Sequence, residues 1–99
     1  MALLREIAQK VRSKNAGPFW VTIDIFCGTN VAYDQVQSAL NTQDIAARFN
    51  LPLEKIRRFD MPELNVVKFS IPRPVVQGDS ADRDMHGASF AIVLAEMDI

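Results

Sequence analysis

The segment that most constrains the fold of this chain begins at Trp20, where side chains alternate with a period of two. One face carries Val21, Ile23, Ile25 and Cys27, and the other carries Trp20, Thr22, Asp24 and Phe26. Successive side chains of a strand point to opposite faces, so the pattern predicts a β-strand over residues 19–27. The fold must bury its aliphatic face and leave the polar and aromatic face to water or to a partner.

A dense polar segment directly precedes this strand and reads Arg12-Ser13-Lys14-Asn15-Ala16-Gly17-Pro18-Phe19. It predicts a polar loop at the mouth of the sheet. A guanidinium, a lysine and backbone amides near glycine suit a carboxylate or a phosphate, which makes the substrate-binding candidates Arg12, Ser13, Lys14, Asn15 and Gly17. Alternatively, the two cations are solvated and Asn15 makes a turn with its own backbone. The segment is too short for a phosphate-binding loop, and the GxxxxGKS motif is absent.

Length and charge limit the classes of protein to consider. The chain has 99 residues, 48% of them hydrophobic, which predicts a single domain over residues 1–99. A domain of this size buries a modest core, so a partner subunit would add useful burial. Its 11 basic and 12 acidic residues are spread along the chain and give a net charge of -1. The sequence shows no basic stripe, and we expect no nucleic-acid partner.

Cysteine usage and the N-terminal segment indicate a cytoplasmic location. Cys27 is the single cysteine, so an internal disulfide cannot form, and its place on the apolar face argues against a nucleophile. Met1 to Leu4 is followed at once by charged residues, which does not resemble a signal peptide. We also expect no membrane association, because no apolar run approaches the length that spans a bilayer.

The remaining segments predict a small unit of mixed helices and strands. Caps at Thr29 or Asn30 and at Asn41 or Thr42 predict two short helices, and alternation over 64–71 predicts a second strand with one buried face. Residues 3–11 and 88–99 fit either a helix or a strand, and the periodicity leaves both readings open.

Two further groups of residues are candidates for chemistry. Asp24 lies between aromatic residues on the polar face of the strand, and a carboxylate so placed suits general acid or base work. His86, the only histidine, is a second candidate proton carrier, and Arg73 and Asp84 are candidates for substrate binding. One histidine with scattered aspartates is not a metal signature, so we expect no metal and no cofactor. Alternatively, Asp24 has no chemical role and either faces water or pairs with a residue of a neighbouring strand.

Several motifs together resemble a known family. These are RSKNAGPF at 12–19, the T-x-D of Thr22 and Asp24, IPRPVV at 71–76, and the G-D and D-x-H-G motifs within 78–87. They resemble a small bacterial family of single-domain proteins described only as a domain of unknown function. The resemblance covers nearly the whole chain, although the tail at 89–93 departs from a more polar stretch associated with that family.

A more distant resemblance implies the fold and a partner. The layout is similar to the ferredoxin-like C-terminal domain of acyclic terpene utilisation (AtuA-like) proteins, with Phe59-Asp60-Met61-Pro62 matching an aromatic-x-x-Pro segment. This resemblance implies an α/β (α+β) ferredoxin-like sandwich, with one mostly antiparallel sheet and helices on one face. It also implies a larger AtuA-like subunit as the partner.

Two functions remain open. In the first, the chain is the small subunit of a hetero-oligomeric enzyme that acts on a carboxylic acid or its coenzyme A thioester as a hydratase or dehydratase. The anion would then be bound by Arg12, Lys14 and Asn15. The same site would be approached across the subunit boundary by Arg73, Asp84 and His86, and Asp24 or His86 would carry the proton. In the second, the chain is a non-catalytic assembly or regulatory module whose Trp20 and Phe26 face docks the larger partner.

Overall fold

The computed structural model describes residues 3–17, 19–72 and 89–99, and their strands form one antiparallel sheet. The strands are β1 (Lys10–Asn15), β2 (Trp20–Phe26), β3 (Arg57–Met61) and β4 (Val66–Pro72). They lie in the order β1-β2-β4-β3, and every neighbouring pair is antiparallel. The two strands expected from alternation, β2 and β4, are the central pair.

The helices are α1 (Leu4–Ile7), α2 (Asn30–Ala39), α3 (Thr42–Phe49) and α4 (Ser89–Ala95), and single 3-10 turns cover Leu53–Lys55 and Pro62–Leu64. The two short helices predicted from their caps are confirmed. The Thr29 hydroxyl accepts from the Ala32 amide at 3.1 Å, and the Asn41 side-chain oxygen accepts from the Gln43 amide at 2.8 Å. Each cap satisfies an amide that the first helical turn leaves unpaired. In the described ranges, no helix is both long and apolar enough to cross a bilayer.

The prediction of a loop over residues 12–19 is wrong in its first half. Residues 12–15 belong to β1, which pairs with β2 from Lys10↔Phe26 to Asn15↔Val21. The turn itself is confined to the few residues between Asn15 and Trp20, where Gly17 takes the left-handed φ of 81°. The strand is polar because one of its faces is exposed, and its backbone is held by the ladder to β2 rather than by its own propensity.

The two terminal segments, which fit either a helix or a strand, lie beside each other. The N-terminal one makes the single turn of α1 before β1, and the C-terminal one makes α4 and then an isolated bridge between Leu3 and Asp98. The Leu4 amide donates to the Met97 carbonyl oxygen at 2.8 Å. The two ends of the described chain therefore meet next to the edge strand β1.

The architecture is α+β and ferredoxin-like, as expected, but with the strands in a permuted chain order. The segment β2-α2-α3-β3-β4-α4 is a split β-α-β arrangement, because β4 lies between β2 and β3. In the usual β-α-β-β-α-β order the last strand follows the second helix and pairs with the first strand. Here β1, which comes before β2 in the chain, takes that edge position. The N-terminal and C-terminal segments lie beside each other, so a strand that precedes β2 occupies the place of one that would follow α4.

The core lies between the sheet and the helices. Its central sheet residues, all fully buried, are Val21, Ile23, Ile25, Val67, Phe69 and Ile71. The helices contribute Val36, Ile45 and Leu94, which are also fully buried. Burial of side chains of this size contributes roughly 1.5–3 kcal/mol each, so this single layer is the main source of stability.

Arg58 fastens the edge strand β3 to the helical layer. Its guanidinium donates to the carbonyl oxygens of Leu40 at 2.6 Å and Gln37 at 3.0 Å, and it pairs with Asp60 at 3.0 Å. These carbonyls lie at the C-terminal end of α2, where helical carbonyl oxygens lack intrahelical partners and favour a cation. The guanidinium also lies 5.5 Å from the ring centroid of Phe69.

The Arg58→Ala variant tests this anchor. We expect the free energy of unfolding to fall by about 2–4 kcal/mol, because carbonyls and a carboxylate lose a charged donor. Arg57→Ala is the matched control, because Arg57 is the adjacent arginine of β3 and lies on the opposite face of the sheet. This variant should lower the free energy of unfolding by about 1 kcal/mol or less. Urea unfolding of both variants measures the difference, and equal losses would contradict the anchoring role.

Candidate functional site

The face of the sheet opposite the helices, called the open face here, carries most of the charged side chains of the four strands. The described helices pack against the other face, where the buried aliphatic residues lie. The open face consists of Lys10, Arg12 and Lys14 on β1; Trp20, Thr22, Asp24 and Phe26 on β2; Val66, Lys68, Ser70 and Pro72 on β4; and Arg57, Phe59 and Met61 on β3.

Charge is strongly segregated on this face. Its strand positions hold five cations, Lys10, Arg12, Lys14, Arg57 and Lys68, and one carboxylate, Asp24. The difference is four positive charges, although the whole chain has a net charge of -1. Such a concentration of positive charge attracts anions and steers them toward the face. The even spread of charges along the sequence conceals this arrangement, because only the strand pairing brings the cations together.

Asp24 lies at the centre of the open face between two cations. The register places it opposite Arg12 on β1 and opposite Lys68 on β4. In the described part of the chain, the ion pairs within 4.0 Å are Arg5–Glu96 and Arg58–Asp60, and neither includes Asp24. The carboxylate is half-buried. The register places it beside two cationic side chains, neither of which forms an ion pair with it within 4.0 Å.

A cavity of about 330 Å³ brings several of the predicted site residues together. It is lined by Arg12, Ser13, Lys14, Asp24 and Phe26. All five belong to β1 and β2, so within the described ranges two neighbouring strands form the lining of the cavity. An anion lying there would meet the guanidinium and the ammonium, with the carboxylate and the aromatic ring beside it.

Ser13 and Asn15 lie on the opposite face from Arg12 and Lys14. The Ser13 hydroxyl accepts a hydrogen bond of 2.8 Å from the amide of Ala91, in the first turn of α4. Asn15 is half-buried on that same helix-covered face, opposite Val21. The polar segment is therefore divided, with its cations on the open face and its uncharged polar side chains turned toward the helical layer.

Gly17 shapes the hairpin and shows no sign of lining a site. Its φ of 81° is one that L side chains rarely adopt, and apart from its chain neighbours no atom of the described residues lies within 4 Å of where a Cβ would be. The glycine is thus required by the turn and not by a close neighbour.

Thr22 has an unsatisfied hydroxyl that sequence reasoning missed. The residue is 8% exposed, and its oxygen is buried with no hydrogen-bond partner among the described residues. Its cross-strand neighbours on the open face are Lys14 and Ser70, and Ser70 in turn lies opposite Arg57. The T-x-D motif pointed to this position, but the row from Lys14 to Arg57 depends on a strand register that the sequence does not reveal.

The remaining candidates lie beyond the described ranges, and the single thiol, which was not expected to be a nucleophile, is buried. Arg73, Asp84 and His86 lie outside the described residues, so their convergence with residues 12–15 stays a prediction. Cys27 is buried, and burial raises the pKa of its thiol, which disfavours the reactive thiolate. Within the described ranges, no three His, Cys, Asp or Glu side chains are grouped to hold a metal ion.

Comparison with known proteins gives one match. A family model described as "Domain of unknown function (DUF4387)" matches residues 4–98, nearly the full chain. Neither the curated proteins nor the solved structures gave a match. The family match supports the resemblance to a domain of unknown function, whereas the likeness to AtuA-like proteins receives no support from these comparisons.

The Ser13→Ala variant tests the structural role of the Ser13 hydroxyl. Loss of the acceptor leaves an amide of the first turn of α4 unpaired, and we expect about 1 kcal/mol lower stability with faster hydrogen exchange in α4. Ser70→Ala is the control on the open face and should change stability by less than about 0.5 kcal/mol. Unchanged exchange in α4 would contradict the assignment.

The Thr22→Val variant tests whether the Thr22 hydroxyl is truly unsatisfied. An isosteric methyl removes a buried group without a partner, so the free energy of unfolding in phosphate-free buffer should rise by roughly 1 kcal/mol. Thr22→Ser, which keeps the hydroxyl and loses the methyl, should lower it by about 1 kcal/mol. A clear loss of stability in Thr22→Val would indicate that the hydroxyl is hydrogen-bonded in solution.

Proposed function

Because the chain belongs to the DUF4387 family, whose name leaves its function open, we propose a function from the geometry: a small subunit of a hetero-oligomeric enzyme that acts on a carboxylic acid or its coenzyme A thioester. The observation that carries this proposal is the cavity on the cationic open face, whose described lining combines Arg12 and Lys14 with Asp24.

The charges at the cavity suit an anionic substrate. Arg12 and Lys14 are both exposed on β1 and both line the cavity. A guanidinium binds a carboxylate through two parallel hydrogen bonds, and a nearby ammonium adds charge without fixing the orientation. Lys68 lies on the far side of Asp24 and adds to the positive field. A carboxylic acid or the charged part of a thioester is the ligand class that this arrangement favours.

In this proposal a partner subunit helps to enclose the ligand in the cavity. Pockets that hold small molecules enclose most of the ligand's surface, and a wall formed by two strands of one sheet does not. The open face also presents Phe59, which is 48% exposed, and aromatic residues are enriched at the centres of protein interfaces. The distant resemblance to AtuA-like proteins makes a larger chain of that kind the proposed partner.

In this proposal Asp24 carries a proton during hydration or dehydration. It lines the cavity beside Arg12, so the anion and the carboxylate would be close together. A carboxylate near a bound acyl group acts as a general base toward water or toward a carbon-bound proton. Arg73, Asp84 and His86, which lie beyond the described residues, keep their proposed roles as further contributors, with His86 as the alternative proton carrier.

A non-catalytic assembly module is the second candidate, and the position of Ser13 favours it. Half of the polar segment faces the helical layer, and the Ser13 hydroxyl is engaged with the Ala91 amide. In this alternative the segment fixes the β1–β2 hairpin, and the open face serves only to dock the larger chain. The cations would then steer association rather than bind substrate.

Purification from the native host tests both candidates. Native mass spectrometry of the untagged protein should show a heteromer with a larger chain. The complex is then assayed with a panel of α,β-unsaturated coenzyme A thioesters and the corresponding free acids, by following loss of the conjugated double bond. Arg12→Ala should lower kcat/KM at least tenfold in an intact complex, because a charged hydrogen bond to the substrate is lost.

Lys55→Ala is the matched control, because Lys55 is an exposed cation in a 3-10 turn away from the open face. It should leave both assembly and kcat/KM unchanged. Loss of the complex in Arg12→Ala would favour the assembly module instead. A free monomer or a homo-oligomer from the host would overturn the small-subunit proposal.

A further inference from the structure

We infer that a row of four residues across the open face, Lys14, Thr22, Ser70 and Arg57, binds a phosphate group. The row contains one residue from each strand, because the register pairs Lys14 with Thr22, Thr22 with Ser70, and Ser70 with Arg57. Two hydroxyls thus occupy the two central strands, and a cation occupies each outer strand. This row is called the hydroxyl row here.

The buried hydroxyl of Thr22 is the observation that points to a ligand. A buried polar atom without a partner costs stability, and native proteins hold few of them. Thr22 is 8% exposed, and its oxygen has no hydrogen-bond partner in the ranges that the structure describes. It lies on the face where the chain concentrates its cations. A phosphate oxygen would accept the hydrogen bond that the hydroxyl now lacks, once the groups that cover the hydroxyl move aside.

The spacing of the row fits one tetrahedral anion. Directly opposite residues on antiparallel strands have Cβ atoms about 4.5–5.5 Å apart, so the hydroxyls of Thr22 and Ser70 reach different oxygens of the same group. Lys14 and Arg57 flank them from the next strands, and both side chains are long and exposed. A phosphate carries more oxygens and more negative charge than a carboxylate, so it suits donors and cations that come from four strands better.

Arg57 already leans over the sheet. Its guanidinium carbon lies 5.8 Å from the ring centroid of Trp20, which belongs to β2, whereas Arg57 itself belongs to the edge strand β3. The guanidinium and the ring therefore meet over β4, next to the row that contains Thr22 and Ser70. Asp24, two residues after Thr22, is the carboxylate that could repel a bound anion. Arg12 and Lys68 lie opposite it on the two neighbouring strands, so two positive charges offset its negative charge.

This inference rests on the proposed function, because it names the part of the ligand that the same face would hold, a phosphate of a coenzyme A thioester. The same chemistry is present in a nucleic-acid backbone. The two sources differ in size and in the number of phosphates, and separate titrations distinguish them. Binding of phosphate by the isolated chain is also independent of whether a heteromer forms, so the two proposals can fail separately.

The test is a titration of the isotope-labelled isolated chain with inorganic phosphate, followed by amide chemical shifts at constant ionic strength with chloride. Saturable shifts centred on Lys14, Thr22, Ser70 and Arg57 are expected. Thr22→Val, which keeps the shape of the side chain, should weaken phosphate binding about tenfold or more, and Ser70→Ala should weaken it as well. Acetate at the same concentrations should bind more weakly than phosphate.

Lys10→Ala is the matched control, because Lys10 carries the same charge on the same strand and face, two rows away from the hydroxyl row. It should weaken phosphate binding much less than Lys14→Ala does. If coenzyme A binds more tightly than inorganic phosphate does, the bound phosphate belongs to a coenzyme A thioester. If a single-stranded oligonucleotide binds more tightly than coenzyme A does, the hydroxyl row is a phosphate site for a nucleic-acid backbone. Non-saturating shifts, equal effects of the two lysine variants, or unchanged binding in Thr22→Val would overturn the inference.

Discussion

The register between β1 and β2 is the constraint on which the rest of this structure depends. Side chains alternate between faces with a period of two, so a shift of one residue would move every side chain of β1 to the opposite face. The observed pairing, from Lys10↔Phe26 to Asn15↔Val21, is closed by a turn in which Gly17 has a φ of 81°. It fixes Arg12 and Lys14 on the open face and Ser13 under α4.

The same register gives the residues of one short polar segment two different roles, one in the stability of the fold and one on the open face. The Ser13 hydroxyl holds the first turn of α4 against β1, which stabilises the fold. The cations beside it contribute nothing comparable to the core and instead join those of β3 and β4 on the open face. Like charges held together on one surface repel each other, and an anion or an acidic partner surface relieves that repulsion.

Much of the fold follows from local sequence signals. Alternation predicts β2 and β4, and the side-chain oxygens of Thr29 and Asn41 mark the starts of α2 and α3. These signals work because burial and amide capping act on residues that are close in sequence. The family resemblance, rather than any local pattern, supplied the ferredoxin-like arrangement.

The features that the sequence did not reveal depend on contacts between distant residues. The polar strand β1 exists because β2 offers it a ladder, and its composition alone resembles a loop. Arg58 anchors β3 by reaching carbonyl oxygens about 20 residues earlier in the chain. The hydroxyl row joins residues from four strands whose pairing is set by the whole fold. Alternation indicated the polar face of β2, but it did not show which partners would lie beside it.

The central claim is that the open face, and not the helical side, is the functional surface. Lysine acetylation of the protein in its native assembly tests it directly, because three of the four lysines, Lys10, Lys14 and Lys68, lie on the open face and Lys55 does not. Compared with the isolated chain, the assembly should protect those three and leave Lys55 reactive. Protection of Lys55 with undiminished reactivity of the other three would contradict the account.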